Sequence, residues 1–422
     1  MINNIKTVVV CGAGGQMGST IGGLIAQSGL KVYFLSRSIR NANIGKDRAI
    51  VNCRSEIISK NIICGSYDMM EEALKEADLV IEAVSEDVSI KQDIYKKIEK
   101  YRRHDTIIAS TTSSLLLSKL IEGLPKDFID HFIITHFYNP PSKMLVCEIV
   151  RCDSNSDAIF DMVVQFLKER LNRKVVLVND ITGFAGNRVA FAIFNLALIS
   201  SVNYGVEVID YITGPHTGRK MPLLRTLDLI GLDIYKSIVE NLNKEGIDLH
   251  LPAYVDEMID NGIIGIKSLG GFYKKSGEGI LLYDIETCKY SYPKNYKSRS
   301  IEDMKEFIKV GRYKEAFNFA MKKYYDGDRD IKIMIDFLCF YVWYSYTCVG
   351  EVTSYDIGIS GINDVMSYGF NWAPPEVVAY VLGGKEEMTK LFKERGMEIP
   401  NSFKDLNIEK YNNCDIGKYF LV

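Results

Sequence analysis

The sequence predicts a doubly wound α/β domain followed by two related all-α domains, and three observations support that prediction. Short β-branched strands alternate with helical patterns as far as about residue 180, which is typical of a mostly parallel sheet. A glycine-rich turn follows the first strand. Beyond residue 180 the pattern is largely helical and repeats loosely at a spacing of about 145 residues. We therefore expect domains at 1–180, 181–295 and 296–422.

The composition bears on the partners and the compartment. The 422 residues are 47% apolar and carry a net charge of −3, so nothing in the balance indicates a nucleic acid or a membrane as partner. The nine cysteines are odd in number and contain no C-x-x-C, which argues against a disulfide framework and a zinc site, and we expect no metal. The sequence shows no signal-peptide pattern and no apolar run of membrane-spanning length, so we expect a cytoplasmic protein.

The start of the chain predicts a dinucleotide-binding unit. A strand at Thr7–Cys11, a glycine-rich turn, a helix to about Ser28 and a second strand at 31–35 follow one another. This is the Rossmann-type βαβ order, in which the helix N-terminus receives the pyrophosphate. The turn has the spacing G-x-G-x-x-x-G, and Gly15 offers a second register. We expect the cofactor to bind at the following residues: Gly12, Gly14, Gly15, Gln16, Met17 and Gly18.

The end of the second strand bears on the choice of nicotinamide cofactor. An NAD-preferring fold usually places an acidic residue there to bind the ribose 2′-hydroxyl. This chain has Ser36 and Arg37 instead, so no carboxylate repels a 2′-phosphate and the guanidinium can bind one in a bidentate way. The alternative is that Arg37 stacks on adenine or is solvated. The sequence thus predicts NAD(P) and favours NADP.

A polar cluster marks the end of a later strand. Strands are predicted at 78–84 and 106–111, with a helix at 86–101 between them. The second strand runs into a serine and threonine cluster at 110–114, which includes Ser113. Ligands of open α/β sheets bind at this edge. The alternative is that the cluster caps the helix predicted to follow it.

One histidine and one glutamate lie in the paired apolar runs of residues 133–150. The Asn139-Pro140-Pro141 turn folds the second run back toward the first, which can bring His136 and Glu148 within hydrogen-bonding reach. A carboxylate in an apolar strand is costly without a partner. It would fix the imidazole tautomer and stabilise the protonated ring, as a general base requires. The alternative is a core histidine satisfied by a buried glutamate.

The helical part contains one candidate site residue. A helix at 157–171 and a strand at 174–178 precede a break at 180–184, and a long apolar helix then runs to about residue 203. Asn187 lies in its first turn, where an amide is either directed at something polar or forms a capping contact. The second copy has Asp336 in the matching region and no second site, and a hairpin-like connection is predicted at 279–293.

Together these stretches resemble the L-3-hydroxyacyl-CoA dehydrogenase family, in its long form with a duplicated C-terminal helical domain. The matching motifs occur in family order and cover about residues 7–275. They are GAGGQMG at 12–18, DLVIEAVSEDVSIK at 78–91, ASTTSSL at 109–115, THFYNPPSKMLVCEIV at 135–150, DITGFAGNR at 180–188, TLDLIGLD at 226–233 and GGFYKK at 270–275.

The resemblance implies an oxidoreductase of fatty acid metabolism that interconverts L-3-hydroxyacyl and 3-ketoacyl thioesters of coenzyme A with NAD(P). It implies His136 as general acid and base, Glu148 as its orienting carboxylate and Ser113 as a hydroxyl near the substrate alcohol. It also implies Asn187 as a donor to the reacting oxygen, with Glu86 and Lys91 near the nicotinamide ribose and the thioester.

Several alternatives stay open at this point. The segment that forms the helical arm over the CoA in the family is shorter here, so a carrier-protein-bound or free hydroxyacid is a second substrate class. A non-catalytic NADP(H)-binding sensor or structural protein is an alternative of another class. The duplicated helical copies predict a monomer with an internal pseudo-dimer, or a homodimer.

Overall fold

A computed structural model describes residues 5–268, 270–277, 279–412 and 414–422. The chain divides into two compact units between Phe184 and Ala185. None of the described helices combines the length and the apolarity needed to cross a membrane.

The first unit is built on a sheet that has eight strands among its described residues. They are β1 (Thr7–Cys11), β2 (Lys31–Ser36), β3 (Ile62–Ser66), β4 (Leu79–Glu82), β5 (Ile107–Ser110), β6 (Phe132–Phe137), β7 (Val146–Arg151) and β8 (Lys174–Leu177). The spatial order is β3-β2-β1-β4-β5-β6-β7-β8, and β7 is antiparallel to β6. The chain leaves β1 toward β2 on one side and returns through β4 on the other, so a ligand crevice forms at that switch point.

Helices cover this sheet. They are α1 (Gln16–Gln27), α2 (Ile39–Cys53), α3 (Met70–Leu74), α4 (Val88–Tyr101), α5 (Leu117–Leu120), α6 (Lys126–Asp130) and α7 (Asp157–Gln165), the last continued by a π-helical turn at Phe166–Arg170. A Cβ on Gly22 would lie 2.4 Å from the Phe34 ring, so a glycine lets α1 lie close to β2. Residues 39–75 show none of the sequence patterns described above, and the structure places α2, β3 and α3 there.

The sheet brings the sequence motifs to one edge. Since β1, β4, β5 and β6 are parallel neighbours, the residues that follow them lie together at their carboxyl ends. The glycine-rich turn follows β1, the serine and threonine cluster follows β5, and His136 lies near the end of β6. The predicted doubly wound α/β fold of this unit is confirmed.

The described residues of the second unit form helices and a small three-stranded sheet. Its helices are α8 (Gly186–Tyr204), α9 (Val206–Ile212), α10 (Leu223–Ile230), α11 (Leu232–Lys244), α12 (Ala253–Asp260), α13 (Arg299–Lys309), α14 (Tyr313–Tyr325), α15 (Arg329–Thr347), α16 (Gly358–Gly369), α17 (Pro375–Val381) and α18 (Gly384–Glu394). Its strands are β9 (Tyr273–Ser276), β10 (Gly279–Asp284) and β11 (Lys289–Ser291). Strands β10 and β11 form the hairpin predicted at 279–293, and β9 adds a third strand. The division of this unit at residue 295 stays a prediction.

Helix α8 packs against α15 within this unit. The Arg188 guanidinium donates to the Tyr344 hydroxyl at 3.0 Å and to Glu351 Oε1 at 2.7 Å. The ring centroids of Phe194 and Trp372 are 5.6 Å apart. Asp336, which the repeat sets opposite Asn187, lies inside α15 rather than in its first turn. The two helices therefore match in length, but their starts differ.

Candidate active site

The glycine-rich turn after β1 has the geometry that a dinucleotide needs. Gly12 has φ +85°, and a Cβ on it would lie 2.3 Å from the Ala83 carbonyl oxygen. A Cβ on Gly18 would lie 2.6 Å from the Gly12 oxygen. Helix α1 begins here at Gln16, with Gly15 as an N-cap without a side-chain hydrogen bond and with no acidic residue in the first turn. The exposed backbone and the positive helix end fit a pyrophosphate.

Helix α2 supports this turn from behind. Arg48 donates to the Gly14 carbonyl oxygen at 2.8 Å. A Cβ on Gly45 would lie 2.1 Å from the Ala13 oxygen, so only glycine allows this approach. Sequence reasoning missed both residues, since no local pattern says which side chain of α2 faces the turn. Of the other predicted contact residues in the turn, Gln16 is exposed and Met17 is half-buried.

The end of β2 presents no carboxylate to the cofactor. Ser36 is 6% exposed, and a Cβ on Gly14 would lie 3.0 Å from its Oγ. Arg37 is exposed, and Ser38 caps α2 by accepting from the Asn41 backbone N–H at 3.2 Å. The first turn of α2 contains no acidic residue. The end of β2 is therefore followed by an exposed guanidinium and a helix N-terminus.

His136 and Glu148 form the contact that the sequence predicts. They are direct cross-strand partners of β6 and β7, and both are buried, at 4% and 0% exposure. His136 Nδ1 lies 2.6 Å from Glu148 Oε2. The Tyr138 hydroxyl donates to the same oxygen at 2.7 Å, and the Phe184 ring lies 5.4 Å from the imidazole. Sequence reasoning missed Tyr138 as a partner, although its place two residues after His136 puts it on the same face of the strand.

Ser113 is held by Glu86. The Glu86 Oε1 atom accepts from the Thr112 hydroxyl at 2.7 Å, from the Ser113 backbone N–H at 2.8 Å and from the Ser113 hydroxyl at 3.1 Å. Burial alone would raise the pKa of the Glu86 carboxyl, but the Lys91 ammonium and these hydrogen bonds outweigh it and hold that pKa below its usual range.

Capping of the following helix falls to other residues. Asp180 accepts from the backbone N–H groups of Leu117 at 2.6 Å and Ser118 at 3.0 Å, at the start of α5. Thr112 Oγ1 accepts from the Leu115 N–H at 3.0 Å. The helix-capping contacts at α5 thus come from Asp180, which lies outside the cluster, and Ser113 keeps a candidate site role.

Lys91 is more deeply buried than we expect of a residue that contacts a ligand. Its side chain is 1% exposed, and its Nζ lies 2.8 Å from Glu82 Oε1 and 3.4 Å from Glu86 Oε2. The resemblance implies a place near the nicotinamide ribose and the thioester. In the structure the ammonium pairs with Glu82 and Glu86, and Lys91 is more deeply buried than Glu86. Its contact with a ligand stays a prediction.

Asn187 belongs to the second unit. It is 7% exposed and lies in the first turn of α8, whose N-cap residue Ala185 offers no side-chain hydrogen bond. The next residue, Arg188, anchors the helix start to Tyr344 and Glu351. The role of Asn187 as a donor to the reacting oxygen stays a prediction. Among the described residues no group of histidine, cysteine, aspartate or glutamate side chains has a metal-binding arrangement.

Two family models match the chain. The NAD binding domain of 3-hydroxyacyl-CoA dehydrogenase matches residues 7–181, and the C-terminal domain of the same enzyme matches residues 183–275. Together they cover the stretch on which the sequence motifs lie.

Curated relatives and solved structures agree with these matches. A "Probable 3-hydroxyacyl-CoA dehydrogenase" of Bacillus subtilis (strain 168) is 28% identical over 96% of this chain, which spans 54% of that relative. A protein with the same printed name from Deinococcus radiodurans is 31% identical over 70% of this chain and 90% of its own length. The crystal structure of a 3-hydroxybutyryl-CoA dehydrogenase from Escherichia coli has a TM-score of 0.71 at 19% identity, covering 99% of this chain and 98% of that chain. That last likeness shows the fold alone.

Proposed function

The chain belongs to the 3-hydroxyacyl-CoA dehydrogenase family and carries its NAD(P)-binding domain, and from that premise we propose that it interconverts an L-3-hydroxyacyl-CoA and the 3-ketoacyl-CoA. The observation that carries the proposal is the buried His136–Glu148 pair on β6 and its antiparallel neighbour β7, because β6 ends at the same edge of the sheet as β1, which the glycine-rich turn follows. A non-catalytic binding protein would have no use for a base and its carboxylate at this place.

His136 acts as the general base in the oxidative direction. Glu148 engages Nδ1, which leaves Nε2 as the nitrogen that takes the proton of the substrate hydroxyl. Glu148 then stabilises the imidazolium, and the Tyr138 hydroxyl keeps the carboxylate oriented toward the ring. A bound nicotinamide supplies the acceptor for the hydride that leaves C3, or the donor in the reverse direction.

The proposal also needs polar groups that position the substrate oxygen. Ser113 presents its hydroxyl from a turn whose backbone Glu86 holds, and we assign it a hydrogen bond to the substrate alcohol. The family resemblance implies Asn187 as a second donor to the substrate oxygen, and this role stays a prediction. In the reductive direction His136 returns the proton as the carbonyl becomes an alcohol.

The cofactor is proposed to be NADPH rather than NADH. Three features support this choice, namely the buried Ser36 in place of a carboxylate, the exposed Arg37, and the first turn of α2 without acidic residues. A charge-assisted contact of this kind is worth roughly 1.5–3 kcal/mol, or about one to two decades in affinity.

Steady-state kinetics tests the cofactor choice. We expect kcat/KM to be higher with NADPH than with NADH, and Arg37→Ala to lower the NADPH value by roughly 10–100-fold while leaving NADH nearly unchanged. Ser36→Asp is expected to shift the preference toward NADH. Lys60→Ala, which removes an exposed cation from the same unit, is the matched control. A parent that prefers NADH, with a ratio that Arg37→Ala does not change, contradicts the proposal.

The thioester carrier has a separate test. Between β2 and β3 the chain forms the single helix α2, which lies on α1, and a short turn at Glu56–Asn61. The helical arm that the resemblance implies is thus reduced, which favours a carrier-bound or free hydroxyacid as second candidate. We expect acetoacetyl-CoA to exceed acetoacetyl-N-acetylcysteamine in kcat/KM. Equal values would mean that the protein does not bind the nucleotide part of CoA.

The primary experiment follows NAD(P)H oxidation at 340 nm with acetoacetyl-CoA and longer 3-ketoacyl-CoAs. We expect turnover in the parent and its loss in His136→Gln. Cofactor binding without turnover of any of these substrates would instead indicate a non-catalytic nicotinamide-binding protein.

We also propose that the protein is a monomer. Helix α15 of the second helical copy packs against α8 within the same chain, and most side chains of α8 are buried, so we expect that no second subunit is needed to cover this helix. Light scattering is expected to give the mass of one chain. A stable dimer at low micromolar concentration contradicts this.

A further inference from the structure

A second buried carboxylate lies in the first unit, outside the His136 pair. Glu82 ends β4 and is 0% exposed. Its Oε1 accepts from the Val84 backbone N–H and the Lys91 ammonium, each at 2.8 Å. Its Oε2 accepts from the Tyr95 hydroxyl at 2.6 Å and the Ser110 hydroxyl at 2.7 Å. A carboxylate has about four acceptor positions, so Glu82 has no capacity left for a ligand.

The Lys91 ammonium connects this carboxylate with a second one. It lies 2.8 Å from Glu82 and 3.4 Å from Glu86, and only Glu86 reaches the surface, with 35% of its side chain exposed. Glu86 in turn accepts from the backbone N–H groups of Ser113 at 2.8 Å and Ser114 at 3.1 Å. A continuous chain of charges and hydrogen bonds therefore runs from the sheet interior to the turn that carries Ser113.

We propose that Glu82 and Lys91 are positioning residues, which keep Glu86 charged and aimed at the 112–114 turn and thereby fix Ser113 for the substrate. The inference rests on the proposed function for the part that concerns substrate. Glu82 anchors the ammonium, the ammonium holds Glu86, and Glu86 holds the two serine amides. Neither Glu82 nor Lys91 touches the reacting atoms.

The competing explanation is that the ion pair only fills the core. A buried ion pair is often replaceable by uncharged residues of similar size with little loss of stability, whereas removal of one partner leaves a costly unpaired charge. The double variant Glu82→Gln/Lys91→Met removes both charges and keeps the volumes. It separates a role in folding from a role in positioning Glu86.

Serine amide titration reads the state of Glu86 without any turnover. In protein labelled with ¹⁵N-serine, the Ser113 and Ser114 amide signals, assigned through Ser113→Ala and Ser114→Ala, follow the ionisation of the carboxylate that accepts from them. The other titratable groups around Glu86 are Glu82, Lys91 and Tyr95. We expect the titration midpoint to move to higher pH in the folded double variant, because Glu86 has lost its cation. An unchanged midpoint overturns the proposal.

The single variant Glu82→Gln gives a result of a different kind and serves if the double variant does not fold. Lys91 keeps its charge in this variant, so the midpoint is not expected to rise. The ammonium loses its anchor, so we expect faster hydrogen exchange at the Ser113 amide. Hydrogen exchange at the Ser113 amide as slow as in the parent, or a rise of the titration midpoint, contradicts the proposed order of contacts from Glu82 through Lys91 to Glu86.

Kinetics adds the link to the reaction. We expect the double variant to lower kcat with acetoacetyl-CoA by roughly 10–100-fold, since a small misplacement of a site group can cost about 10²-fold. The affinity for NADPH is measured separately by fluorescence. Should the parent itself not turn over acetoacetyl-CoA, the proposed function fails, while the serine titration still decides the role of the pair. A double variant with parental kcat contradicts the positioning role.

Discussion

Glu148 and Glu82 are two buried carboxylates of one sheet with nearly the same local structure. Each is 0% exposed, and each accepts a tyrosine hydroxyl, from Tyr138 at 2.7 Å and from Tyr95 at 2.6 Å. They differ in their basic partner. Glu148 faces an imidazole, and Glu82 faces an ammonium.

The partner decides what each carboxylate can do. An imidazole gains and loses a proton between about pH 5 and 8, so the pair of His136 and Glu148 can take part in a reaction. A lysine ammonium stays charged over that range, so the pair of Lys91 and Glu82 can only hold its neighbours in place. Under the proposed function, the pair on β6 and β7 takes part in the reaction, and the pair between β4 and α4 positions its neighbours.

The largest effect is expected when the pair of His136 and Glu148 is broken. His136→Gln is expected to lower kcat by roughly 10²–10⁴-fold, because the general base is lost. Cofactor affinity should change little, since the glycine-rich turn lies on β1 and α1. Stopped-flow turnover and NADPH fluorescence measure the two quantities. Near-parental turnover would remove His136 from the mechanism.

A smaller effect is expected when only the counter-charge is removed. Glu148→Gln keeps the shape of the pair but leaves the imidazolium of His136 without a carboxylate, so kcat should fall by less than in His136→Gln. The acidic limb of the pH–rate profile should move to lower pH. A pH–rate profile with an unchanged acidic limb would mean that Glu148 serves only the fold.

The tyrosines that donate to the two carboxylates allow the same comparison with smaller expected effects. Tyr138→Phe removes a hydroxyl from Glu148, and Tyr95→Phe removes one from Glu82. Each loses a hydrogen bond to a charged group, worth roughly 1.5–3 kcal/mol. We expect the Tyr138 variant to change the pH–rate profile, and the Tyr95 variant to lower the free energy of unfolding while keeping that profile. Urea titration and rate profiles of both variants provide the measurements. A changed pH–rate profile in the Tyr95 variant, together with an unchanged profile in the Tyr138 variant, would contradict the difference between the two pairs.

The smallest effect provides a reference for loss of stability alone. Asp328 caps α15 in the second unit by accepting from the backbone N–H groups of Asp330 and Ile331. Asp328→Ala should lower the free energy of unfolding by roughly 0.5–2 kcal/mol. Chemical denaturation is expected to show this loss at unchanged kcat/KM. A kinetic change in this variant would mean that instability alone alters the rates of the other variants.

The sequence predicts best what local patterns determine. The turn between β1 and α1 follows from glycine spacing between a strand and a helix. The contact of His136 with Glu148 follows from two apolar runs joined by a proline turn, because an antiparallel pair fixes which residues face each other. Asn187 was correctly placed in the first turn of a long helix.

Other features were not predictable because they depend on distant partners. Strand β3 was missed, since Cys64 and Gly65 weaken its apolar pattern. The four donors to Glu82 come from β4, α4 and β5, and no spacing in the sequence joins them. Lys91 could be placed near a ligand by motif, but its inward direction follows only from the two carboxylates around it.

The close approach of α2 to the glycine-rich turn has a consequence for protein engineering. The Cα of Gly45 lies so near the Ala13 carbonyl that no other residue fits, and Arg48 ties the Gly14 carbonyl to the same helix. The turn and the helix therefore form one interlocked module. A loop graft from a relative that is meant to change cofactor specificity would have to include residues 12–18 together with residues 36–48. Either segment alone would pack poorly against the parental partner segment.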